Sequence, residues 1–152
     1  MKSLFMETTK IDPSQTVGEI QRILGKYGAS AILMEYKAGE VTALSFRVRI
    51  EGQDIPFRLP CRSESIFEFL YKRKRRGTQS DRIIESMKAQ AKRVAWRQIL
   101  RWVEAQLALV DTRMVSIEEV FLPYMQNPMN GRTLFETLSE SSFKLLAAPE
   151  NA

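Results

Sequence analysis

The chain has 152 residues, enough for one domain with a real core, and 44% apolar with 27% charged residues is the balance of a folded, non-membrane protein. The absence of histidine excludes a His-based triad, a His metal site and the commonest general base, and a single Cys61 excludes an internal disulfide and suits a reducing compartment. The formal charge of +5 is uneven: residues 62–101 hold 12 cations and 4 anions (+8), while the rest hold 11 cations and 14 anions (−3).

No apolar stretch follows Met1–Phe5 to make a secretory signal, and no uncharged apolar run approaches the roughly 18 residues of a membrane span. The expected compartment is the cytoplasm. "KSLFMETTKI" predicts a short first strand. "DPSQTVGEIQRILGKYG" predicts a helix, with Asp12 as cap, Pro13 at the first helical position and Gln15 at capping-box spacing. Val17, Ile20, Leu24 and Tyr27 share one face, and Gly28 supplies a left-handed stop.

Three strands follow, "ASAILMEY", "VTALSFRVRI" and "IPFRLPC", joined by the turns "KAGE" and "EGQD". Leu44, Phe46, Val48 and Ile50 alternate with Ser45, Arg47 and Arg49, and Ile55, Phe57 and Leu59 face inward while Arg58 faces outward. Pro56 and Pro60 cannot donate ladder hydrogen bonds, which confines the third strand to an edge or to a short length.

The second half reads as helical. "SESIFEFLYKRKRR" is a short helix stopped by Gly77, and "SDRIIESMKAQAKRVAWRQILRWVEAQLALV" is a helix of about eight turns. Ser116 with Glu119 forms a capping box, "NPMNG" is a turn, and "RTLFETLSESSFKLL" is a final short helix. The fold class is α+β: a small antiparallel sheet in the order β-α-β-β-β, then a helical half with one long basic amphipathic helix. Residues 1–148 form one domain and 149–152 a frayed tail.

The strongest functional signal is the run Lys72, Arg73, Lys74, Arg75 and Arg76. Five adjacent like charges repel one another unless an anion relieves them, and cations set on phosphates release condensed counterions, the signature of backbone binding without sequence readout. A solubilising patch is the plain alternative. On the long helix, Ile84, Met87, Ala91, Val94, Ala95, Ile99, Trp102, Ala105 and Leu109 predict an apolar sector. Arg93, Arg97 and Arg101 recur on the other side, with Lys92 beside them, and Arg93 and Arg97 have no acid four positions away. Arg47, Arg49 and Arg58 offer a second patch. Tyr71 and Trp96 are the candidate base-stacking aromatics, with core packing as the competing reading.

Catalysis is not expected. Glu64/Glu68 and Glu118/Glu119 read as exposed or helix-start carboxylates, Cys61 has no histidine to activate it, and neither a metal nor a cofactor is called for. The order helix–three strands–helix matches a double-stranded-RNA-binding domain in topology alone, because the second helix opens with "SESIFEF" where a lysine-rich start belongs.

The stretch "AKRVAWRQILRWVEAQLALVDTRMVSIEEVFLPYM", with "GRTLFETL" after it and "IPFRLPCR" before it, resembles a family of small proteins encoded by bacterial phages and prophages, over most of the chain. The resemblance implies a bacterial host cell and an early accessory role, and it assigns no site residue. Two readings result. The first is a non-enzymatic nucleic-acid-binding protein, for DNA or RNA. The second is an anti-defence protein that binds a host defence nuclease or effector, or sequesters a nucleotide signal. The apolar sector of the long helix could also serve a homo-oligomer.

Overall fold

The structure, a computed structural model, describes residues 2–74 and 77–150. Helix α1, Pro13–Lys26, starts where the Asp12 carboxylate accepts from the Ser14 hydroxyl and from the Ser14 amide at 2.9 Å. Those two bonds hold the Asp12 carboxyl below its usual range. The cap thus closes on Ser14 in place of Gln15. Val17, Ile20 and Leu24 are buried at helical spacing, and Gly28, at φ 91°, ends the turn in a conformation that other residues reach with strain.

Strands β1 (Ala29–Lys37), β2 (Glu40–Ile50) and β3 (Gln53–Arg58) form one antiparallel sheet in the order β1-β2-β3. Both connections are two-residue turns with positive φ at each position, Ala38–Gly39 and Glu51–Gly52, whose twist matches that of the strands they join. The alternation of β2 holds: Leu44, Phe46 and Val48 are buried, and Arg47 and Arg49 are exposed. On the outer face the Arg58 guanidinium donates two bonds to the Glu35 carboxylate, at 2.9 and 3.2 Å. The pair reaches from β1 to β3 across β2, between Ala43 and Ser45, which accounts for the burial of two small residues on a solvated face. β3 is an edge strand, as its prolines require, and its outer side is closed by Gln126, whose amide donates to the Pro56 carbonyl at 2.8 Å.

Helix α3, Asp81–Asp111, begins at the Ser80 cap and lies across the inner face of the sheet beside α1. Leu100, Val103 and Leu107 are fully buried there, so the central seam of α3 is rotated from the expected sector, and Ala105 and Leu109 are exposed. The short α4, Ile117–Val120, starts with the Ser116–Glu119 capping box and delivers Phe121 into the core. Phe121 meets Phe46 edge-on at 5.6 Å and Trp102 at 5.4 Å, while Phe46 and Phe57 stack at 5.1 Å. Helix α5, Leu134–Glu140, has its own capping box from Thr133 and Glu136. It ends early at Ser142 and Phe143, both with positive φ, so the expected final helix is split and resumes as a 3-10 turn at Lys144–Leu146. Residues 151 and 152 of the expected tail lie outside the described residues.

Helix α2, Ser63–Arg73, packs on the front half of α3 through Leu70, Met87 and Ala91. Leu4 joins that seam, and this explains a departure from expectation: residues 2–11 form a turn at 5–8 within irregular chain, not a strand. Gln90 donates to the carbonyls of Glu7 (2.8 Å) and Thr9 (2.9 Å), and Gln98 donates to that of Phe5 (2.8 Å), so the segment's acceptors are taken by α3 and not by a sheet edge. Among the described residues, no helix is long and apolar enough to cross a membrane.

Candidate functional site

The basic run begins inside α2. Burial of Leu70 fixes how the last turn faces, leaving Lys72 and Lys74 exposed while Arg73 is half-buried. Arg73 forms an ion pair with Glu7, and its guanidinium lies 5.7 Å from the centre of the Phe69 ring. Arg75 and Arg76 of the expected run lie outside the described residues.

A cavity of about 720 Å³ opens between the end of α2, the segment 2–11 and α3, with Arg73, Lys74, Arg93, Glu7 and Gln90 in its wall. The Arg93 Nε and Nη2 both donate to Gln90 Oε1, at 2.9 and 2.6 Å. Its remaining N–H groups have no protein acceptor among the described residues. One glutamine therefore orders both the segment 2–11, through its amide nitrogen, and the arginine, through its oxygen. The site gathers three cations against one carboxylate.

The other expected cations are dispersed. Arg97 does not belong to a solvated face: it is 4% exposed, and its Nη1 donates to Glu19 Oε1 at 3.0 Å and Thr16 Oγ1 at 3.3 Å on α1. Arg101 is exposed but spends its Nη1 on Glu104, and Lys92 is paired with Glu40 of the β1–β2 hairpin. In the second patch Arg58 is held by Glu35 and Arg49 lies 3.6 Å from Asp54, leaving Arg47 exposed and without an acidic partner among the described residues. The Arg58 hydrogen bonds hold the Glu35 carboxyl below its usual range.

Of the two stacking candidates, burial removes Trp96. Trp96 is 2% exposed and packs in the main core, so it has no face to offer a base. Tyr71 is half-buried, its ring 5.8 Å from that of Phe67 in the α2–α3 seam.

On the opposite flank of α3 a cavity of about 430 Å³ is lined by Lys37, Lys88, Lys92, Phe67 and Cys61. Burial, with a smaller effect from the Glu64 charge, pushes the Cys61 thiol up to about 12, which leaves it a poor nucleophile at neutral pH. Among the described residues, no cluster of three or more Cys, Asp or Glu side chains is arranged to hold a metal ion.

Three polar residues of this architecture carried no clear signal in the sequence: Glu7, Gln90 and Glu19. Each acts on a partner far along the chain, Glu19 on an arginine 78 positions away. Glu7 stands out only as the one acid among the first eleven residues. No known protein family, curated protein or solved structure matches the chain.

Proposed function

We propose that the chain is a non-enzymatic, phage-encoded accessory protein that grips the phosphate backbone of a nucleic acid at the basic end of α2. The observation that supports this reading is the convergence of Arg73 and Lys74 from α2 with Arg93 from α3 on one open cavity, beside the exposed Lys72. Guanidinium forks and ammonium groups suit phosphate oxygens, and contacts to phosphate carry no sequence information, so binding is expected to be independent of sequence. Each cation engaged on a duplex contributes about −0.9 to the slope of log affinity against log salt.

The test is titration of labelled single- and double-stranded DNA and RNA over a range of salt. The expected result is binding at low salt that weakens steeply and alike for all sequences. Absence of binding to every one of these strands in dilute buffer overturns the proposal. The pairing of Arg97, Arg101, Arg49 and Arg58 with internal acids favours a second reading, because it leaves a compact patch in place of a long track. In that reading the protein is an anti-defence factor that captures a nucleotide in the same cavity, and tight, salt-insensitive nucleotide binding without affinity for long strands identifies it.

A further inference from the structure

The α2–α3 cavity already contains an anion. Glu7 sets its carboxylate against Arg73 in a wall whose other charged groups are Lys74 and Arg93. The peptide that carries it is built to hold that position. Gln90 grips the backbone at and after it, through the Glu7 and Thr9 carbonyls, and Gln98 holds the Phe5 carbonyl before it. Glu7 Oε2 also accepts from the Leu4 amide at 3.1 Å, closing a tight turn in which Met6 takes a left-handed φ of 62°.

A carboxylate seated on Arg73 fills the place and satisfies the charge that a phosphate would. The side chains of the pair retain 26% and 22% exposure, so solvent screens the contact and it can be exchanged. We propose that Glu7 is a built-in competitor for the ligand of this cavity, and that residues 2–11 form a strap which an incoming phosphate lifts from Arg73. The inference rests on reading the cavity as a phosphate site. It adds selectivity to that reading: a dense polyanion offers several charges against one carboxylate and displaces it, whereas an isolated monoanion gains too little.

The experiment compares the intact chain with Glu7→Gln, Gln98→Ala and the remote control Glu118→Gln, each checked for folding by circular dichroism. The probes are a labelled duplex oligonucleotide and inorganic tripolyphosphate. Glu7→Gln keeps the side chain's shape and is expected to raise affinity for both probes about two- to fivefold. Gln98→Ala removes no charge and lies outside the cavity wall, yet loosens the strap, and it is expected to shift affinity the same way by less. Glu118→Gln tests whether losing any negative charge suffices, and it is expected to change nothing. Hydrogen exchange at the amides of residues 4–9 should quicken in the parent chain when tripolyphosphate is bound.

If the parent chain binds and Glu7→Gln binds no tighter, or if Glu118→Gln matches it, the competitor is overturned and the phosphate site stands. If neither the parent nor Glu7→Gln binds, both fall. Binding that appears only in Glu7→Gln overturns the proposed function of the parent chain, and the competitor, which rests on it, falls too.

Discussion

Arg93 and Arg97 stand one turn apart on α3, and the fold gives them opposite tasks. Arg97 lies where α1 closes over the helix, and Glu19 and Thr16 both accept from its Nη1 in an almost fully buried site. Arg93 lies one turn earlier, past the end of that cover, where a glutamine orients it in the wall of an open cavity. Residue type and helical spacing are the same for both. What differs is the element overhead, a non-local property, so an arginine stripe written in sequence does not by itself make a surface track.

The comparison breaks most readily at Arg97. Replacing it with alanine strands Glu19 and Thr16, and Glu19 retains some solvent, so the expected loss is about 2–3 kcal/mol in urea unfolding. Nucleic-acid affinity per folded molecule should not move. A large loss of binding by folded Arg97→Ala would erase the distinction drawn here. The double change Lys72→Ala with Lys74→Ala is the converse: stability is expected to stay within about 0.5 kcal/mol, and the salt slope of duplex binding to fall by about two. Arg93→Ala sharpens the contrast within α3 itself, with a slope smaller by about one.

The smallest effect lies on the outer sheet face. Arg58 keeps the folded Glu35 carboxyl below its ordinary range, so the pair's stabilisation is complete above that range and fades as pH falls through the folded-state value. Glu35→Gln should therefore be less stable than the parent chain near neutrality, by under about 1 kcal/mol, and the two should converge in acid.

Elements governed by local rules were legible in the sequence. Asp12, Pro13 and Gly28 delimit α1, Ser80 starts α3, and the Ser116–Glu119 box marks α4, because caps and turns act within a few residues. The alternation of β2 and the edge position of Pro56 follow from strand geometry in the same way. The N-terminal segment misled because its mixed apolar pattern suits a strand as well as it suits a turn tied down by Gln90 and Gln98. The seam of α3 was misplaced for a related reason. Its covering changes along its length, from α2 near Met87 to α1 and the sheet near Leu100, and a single wheel cannot represent two partners. Of the candidate site, Lys72, Arg73, Lys74 and Arg93 were found from charge alone. Glu19, Glu35 and Glu40, which claim Arg97, Arg58 and Lys92, come from distant elements, whereas Glu104 lies three residues from Arg101 and Asp54 five from Arg49.

Cys61 has a practical consequence. With its titration pushed up to about 12, it carries very little thiolate at pH 7, and this is the sole sulfhydryl in the chain. Alkylation of the folded chain is therefore expected to be slow although Cys61 lines a cavity, and any movement at the start of α2 that relieves its burial should quicken adduct formation at this single site.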